Sequence, residues 1–125
     1  MKMATEWIEK NGIRVIHVTS TDSPIRERGD ALDLMFGCGA GVDGARADLA
    51  VDESCFHPDF FRLKSGVAGE ILQMFVNYRR RMAIIGDFSK FPSDNLRAFI
   101  AECNRGRHIF FVPGLEAAFE CFGRV

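Results

Sequence analysis

The chain has 125 residues, of which 47% are hydrophobic and 26% charged, with a formal net charge of −1 and a pI near 6.3. That mixture suits one soluble α/β-sized domain whose core needs neither disulfides nor metal. It lacks the concentrated positive face of a nucleic-acid binder, and no run approaches the ~20 apolar residues of a membrane span. The N-terminus turns polar too early for a secretory signal. The four cysteines (Cys38, Cys55, Cys103, Cys121) include no C-x-x-C pair, so reduced thiols and a cytoplasmic location are expected.

Trp7-Ile8-Glu9-Lys10 and Ile13 to Val18 flank Asn11-Gly12, and Asn-Gly between apolar runs predicts an antiparallel hairpin. Asp22-Ser23-Pro24 reads as a turn or helix start. Ala31, Leu34, Met35 and Cys38 then recur at helical spacing, and Gly37, Gly39, Gly41 and Gly44 end that helix in a loose loop. This glycine run follows a helix and lacks a Lys-Ser/Thr pair, so it is not a phosphate loop. Ala47 to Val51 alternates like a strand and stops at Asp52-Glu53. A ten-residue loop follows from Cys55 to Lys64.

Val67 to Tyr78 is the strongest helix, with Ala68, Ile71, Leu72, Phe75 and Val76 as its apolar stripe and Glu70, Gln73 and Asn77 as its polar one. Met82 to Ile85 and Ile109 to Val112 are short unbroken apolar runs, the pattern of strands buried on both faces. Between them, Ser93 caps a helix with Leu96, Phe99, Ile100 and Cys103 facing inward. Leu115, Ala118, Phe119 and Phe122 mark a last helix. The order β-β-α-β-α-β-α-β-α predicts a mixed, largely parallel sheet of about five strands with about four helices.

Several strings carry a family resemblance: Asp59-Phe60-Phe61, Leu63, Ser65 to Gln73, Ala83 to Ser89, Leu96, Phe99-Ile100 and Ile109 to Val112. Over residues 13 to 120 they resemble a bacterial family called domain of unknown function 4180. The element order is similar to the STAS domain, the sulfate-transporter and anti-sigma-antagonist module. In that superfamily a Ser or Thr at the start of the second helix, often followed by Gly, is a phosphorylation site, and the adjacent helix binds a kinase-like partner. The resemblance implies that Ser65 is a phosphoacceptor or anion site with Gly66 behind it. Lys64 stands where an acidic residue or Ser is common, and the loop from Glu53 to Ser65 is longer than usual.

The residues themselves offer further candidates. Ser65 alone reads as an N-cap, for which Asp is as good a substitute. Gly69 lies inside a helix, where packing against the sheet would explain it. Asp52, Glu53 and Asp87, with Ser89, fall at strand ends, where α/β sheets bind ligands. Two carboxylates there could hold a divalent ion, but such acids are commonly caps or turn residues. Cys55, His57 and Asp59 could be read as a metal or Cys/His site but lack the full ligand set or orienting group. Five loop phenylalanines (Phe56, Phe60, Phe61, Phe88, Phe91) could line an apolar cavity, or simply cover the core. Arg79-Arg80-Arg81 closes a helix, where cations suit the dipole. His17 and His108 read as structural.

No complete catalytic constellation and no cofactor motif stands in the sequence. The leading expectation is therefore a non-enzymatic regulatory or protein-interaction domain. Its surface would be the loop 54–66 plus Glu70, Gln73 and Asn77, with a protein partner or a homo-oligomer both compatible. The alternative is a small-molecule or phosphate-ligand binder, or an enzyme, built on the acidic strand ends.

Overall fold

The computed structural model describes residues 1–37 and 47–125. The elements come in the expected order: β1 (Met3–Lys10), β2 (Ile13–Thr21), α1 (Arg28–Phe36), β3 (Asp48–Asp52), α2 (Val67–Asn77), β4 (Met82–Ile85), α3 (Asp94–Asn104), β5 (Ile109–Val112) and α4 (Leu115–Arg124). Asn11 and Gly12 both take positive φ, 53° and 79°, which is how a tight turn matches the twist of its strands. The two strands pair antiparallel around it, from Lys10 opposite Ile13 outward. Both are longer than the apolar runs alone indicate, because edge pairing tolerates the polar residues at their far ends. Of the loop after α1, Cys38, Gly39, Gly41 and Gly44 lie outside the described residues.

The strands lie side by side in chain order, β1-β2-β3-β4-β5, and the last four are parallel. Crossovers of one hand that step in one direction leave their helices on one face. Alternation along the strands divides the core accordingly. On one face Ile16, Val18, Leu49, Val51, Met82, Ile84, Ile109 and Phe111 meet α1, α2 and α3. On the other, Val15, Ala50, Ala83, Phe110 and Val112 meet Ala118, Phe119 and Phe122 of α4. Phe122 of α4 meets Phe110 of β5 edge-on at 6.0 Å on that face.

Asp22-Ser23-Pro24 is a turn and not a helix start. Beyond it Ile25 is fully buried and bridges to Phe56, which keeps the chain extended until Arg28. Asp30 then accepts hydrogen bonds from the Arg26 and Glu27 backbone N–H groups, at 2.8 and 2.9 Å, and opens α1. Ser93 caps α3 as expected, its Oγ accepting from Leu96 N at 3.2 Å.

Three sequence expectations are corrected. The segment after β3 is no open loop: it winds into three 3-10 turns, Glu53–Cys55, Pro58–Phe61 and Leu63–Ser65. Val76 is 43% exposed and lies outside the buried stripe of α2, because that stripe is already filled by Ala68, Ile71, Leu72 and Phe75. Gly69 has no packing reason either. It is exposed, and a Cβ built on it meets nothing within 4 Å.

Candidate functional site

The carboxyl ends of the parallel strands gather most of the candidate residues. Asp52 is the last residue of β3, Glu53 follows it, and Asp87 lies just past β4. Each is committed to a neighbour. His17, in the middle of β2, meets Asp52 with Nε2 at 2.8 Å from Oδ1. Both side chains share the face that carries α4. Glu53 lies across Gly86 and accepts from Lys90 Nζ at 2.7 Å and from Asp87 N at 3.3 Å. A Cβ at Gly86 would come within 2.6 Å of that carboxylate, so glycine is what allows the approach. Asp87 accepts from both Ser89 N, at 3.1 Å, and Ser89 Oγ, at 2.6 Å. Those hydrogen bonds hold its carboxyl below the ordinary carboxylate value.

Cys55, His57 and Asp59 do not converge on one point. The Cys55 thiol is buried against Val18 O. Burial first, and then the charge of Asp52, push it up to about 11, so it stays a neutral thiol at physiological pH. The His57 Nδ1 accepts from Asp59 N at 3.0 Å and caps the second 3-10 turn. That role leaves no proton on Nδ1 for the Asp59 carboxylate 3.7 Å away. Asp59 in turn sits 3.8 Å from both Arg26 and Arg62. Cys103 is likewise raised to about 11, by burial and then by Glu102. Cys55, Cys103 and Cys121 are free thiols. Among the described residues no group of three or more His, Cys, Asp or Glu side chains could hold a metal ion.

The five loop phenylalanines pack on one another. Phe56 and Phe60 lie 4.5 Å apart between ring centroids, Phe61 stacks on Phe91 at 4.8 Å, and Phe88 meets Phe111 edge-on at 5.2 Å. Phe56, Phe60 and Phe61 are buried. The rings form an aromatic lid over the carboxyl end of the sheet.

Ser65 stands one residue before the cap of α2. Gly66 is the N-cap, in the left-handed region at φ 79°. The Ser65 hydroxyl accepts from Val67 N at 3.2 Å and faces two carbonyls, Asp59 O at 2.5 Å and Arg62 O at 2.7 Å, to which its single proton donates. It therefore ties the last two 3-10 turns to the helix start. Farther along α2, Glu70, Gln73 and Asn77 are exposed on one stripe, with Gln73 Nε2 donating to Asn77 Oδ1 at 2.8 Å. The acid positions were readable from the sequence. The partners His17, Lys90 and Arg26 were not, since they come from strands and turns tens of residues away.

The chain belongs to the family described as domain of unknown function (DUF4180), whose pattern it matches over residues 10–121. No curated protein and no solved structure matches it. No helix among the described residues is long and apolar enough to cross a membrane.

Proposed function

We propose that this is a bacterial, cytoplasmic, STAS-like regulatory or protein-interaction domain that performs no catalysis itself. The whole chain forms one unit of that kind. One observation carries the reading: the chemistry-bearing side chains at the strand ends are taken up by internal hydrogen bonds, whereas the polar stripe of α2 is turned outward. The contact surface combines Glu70, Gln73 and Asn77 with the turns that Ser65 holds against the helix.

The Ser65 geometry also gives a regulatory reading its mechanism. A phosphate dianion on Oγ has no proton to donate and would set negative charge against the Asp59 and Arg62 carbonyl oxygens. Modification would then unlatch the 3-10 turns from α2 and change the surface a partner meets. The same logic separates two substitutions that look alike from the sequence. Ser65→Ala removes the hydroxyl that accepts from Val67 N and donates to the Asp59 and Arg62 carbonyls, and should cost about 1 kcal/mol. Ser65→Asp points a carboxylate at two carbonyls and should cost more, despite the favourable helix dipole.

The test is affinity capture on immobilised wild-type protein and on a Glu70→Lys/Gln73→Ala double variant, with retained proteins identified by mass spectrometry. A partner held by the wild type and lost by the variant is expected. Identical sets on both, or none on either, would remove α2 as the interface. The competing reading, a ligand site at Asp52, Glu53, Asp87 and Ser89, has less geometry behind it because Asp52 is engaged by His17, Glu53 by Lys90 and Asp87 by Ser89. A thermal-shift screen of nucleotides, phosphosugars and divalent metals that stabilises the wild type but not Asp87→Asn would restore it.

A further inference from the structure

The fold treats the two edges of its sheet differently. An edge strand presents a row of backbone N–H and C=O groups with no neighbour, and proteins commonly shorten, cover or distort such a strand. The β5 edge follows that rule. The strand has four residues, and the carboxamide of Asn104 stands where a further strand would: Phe111 N donates to Asn104 Oδ1 at 2.7 Å, and Asn104 Nδ2 donates to Phe111 O at 3.2 Å.

The β1 edge does not follow it. β1 runs for eight residues without proline, and among the described residues β2 is its one neighbour in the sheet. The register shift in the hairpin skips Thr19 of β2, so β1 itself carries no extra residue. Neither helical layer extends over the strand: Thr5, Glu6, Trp7, Glu9 and Lys10 are all exposed. Trp7 is 52% exposed, and tryptophan is a residue that interfaces favour.

The turn decides which backbone groups point outward. In a two-residue hairpin the residues that close the turn, here Lys10 and Ile13, exchange hydrogen bonds. Alternation then aims the N–H and C=O of Ile8 and Glu6 at β2 as well, and aims those of Glu9, Trp7 and Thr5 away from it. Among the described residues these outward groups have no hydrogen-bond partner.

The three outward residues are evenly spaced about Trp7, so the edge is complementary to itself. A two-fold axis at Trp7, perpendicular to the sheet, places Trp7 opposite Trp7, Thr5 opposite Glu9, Glu6 opposite Ile8 and Ala4 opposite Lys10. Every outward group of the three residues is then paired, and no like charges stand directly opposite. The two rings meet across the axis, and each Thr5 hydroxyl can donate to Glu9 of the second copy. The neighbouring symmetric registers are worse. One sets Glu6 opposite Glu6, and the other sets Thr5 opposite Asn11 of the turn, beyond the strand.

We propose that the protein forms a two-fold homodimer by antiparallel pairing of β1 with β1 of a second copy, centred on Trp7, which joins the two sheets into one. The interface shares no residue with the α2 stripe, and either can fail without the other.

Sedimentation equilibrium of the full chain over a range of concentrations tests it. A species of twice the 14.0 kDa chain mass is expected, in reversible exchange with the monomer. Trp7→Lys sets two cations against each other at the axis and removes the ring pair, so the dimer should be lost. Thr5→Glu puts a carboxylate opposite Glu9 of the second copy, twice by symmetry, and should weaken dimerisation about tenfold. Adding Glu9→Lys to Thr5→Glu turns both repulsions into attractions and should restore it. These side chains are exposed, so far-UV circular dichroism should match wild type, and recovery in the double variant would show that the loss in Thr5→Glu is not misfolding. Glu70→Lys/Gln73→Ala should leave the dimer intact. Any of these results overturns the proposal: a wild type that stays monomeric throughout, a dimer that survives Trp7→Lys, a Thr5→Glu variant that dimerises as well as wild type or is not rescued by Glu9→Lys, or a dimer abolished by Glu70→Lys/Gln73→Ala.

Discussion

The two ends of the sheet solve the problem of exposed charge in opposite ways. At the carboxyl ends, acids are paired off one by one with His17, Lys90 and Ser89, and phenylalanine rings close over the strands. At the amino ends, arginines outnumber acidic side chains among the described residues that frame an open cleft. Proteins of this architecture are generally searched for ligands at the carboxyl ends. One oxygen of each acid there is already engaged by a neighbour, so position in a fold does not by itself mark a ligand site.

The sharpest way to break this contrast is to open the aromatic lid. Phe60 is 1% exposed and touches Phe56, Phe61 and Phe111. Phe60→Ala should cost about 3–5 kcal/mol in urea unfolding. A loss below about 1 kcal/mol would mean that the lid is loosely held, contrary to the packing seen here.

Buried and exposed charges should differ next. Arg80→Met strands the Met35 and Ala47 carbonyls and should cost about 2–4 kcal/mol. Lys90→Met breaks an ion pair whose lysine is 54% exposed and should change stability by less than about 1 kcal/mol. Similar losses for the two would erase the distinction between a structural and a surface cation.

The Cys55 thiol makes alkali a probe of the carboxyl end. Cys55 and Cys103 are each raised from 9.0 to about 11 in the fold. Between those values the unfolded chain has lost protons that the native chain retains, so stability falls as pH rises from 9 toward 11. Cys55→Ala should flatten that fall, as read from urea midpoints across the range. An unchanged slope would show that the Cys55 thiol titrates alike in both states.

The smallest effect is a gain. Gly69 occupies a helical position where a Cβ meets open space, so Gly69→Ala should stabilise by about 0.5–1 kcal/mol. If stability rises while partner capture is lost, the glycine serves the α2 surface, since an added methyl there would stand in a partner's way. A fall in stability would overturn the reading of open space.

Much of the fold could be read locally. Asn11-Gly12, the runs at Met82 and Ile109, and Ser93 each carry their signal within a few residues. The segment from Glu53 to Ser65 could not. Its 3-10 turns are fixed by Phe61 on Phe91 and by the Ile25 bridge to Phe56, contacts that no short window contains. The sites divide in the same way. Asp52 and Asp87 announce themselves as strand-terminal acids, but their quenching by His17 and Ser89 depends on register and turn geometry. Arg79-Arg80-Arg81 looks like a helix-end feature until β2 and β5 bring Arg14 and Arg107 alongside. Val76 fits the helical period of α2 and still escapes burial, because period locates a face but not its limits.

The strand order has one more consequence. Each strand hydrogen-bonds to its predecessor in the chain, so the sheet can be assembled while the polypeptide is still emerging from the ribosome, each new strand zipping onto an edge already in place. Each crossover joins neighbouring strands, which keeps the contacts as local as a parallel sheet allows. α4 reaches far back along the chain, bringing Gly123 close to Ile13 of β2. Until α4 is made, a nascent chain exposes Ala50, Ala83 and Phe110 on a bare sheet face, which α4 then seals.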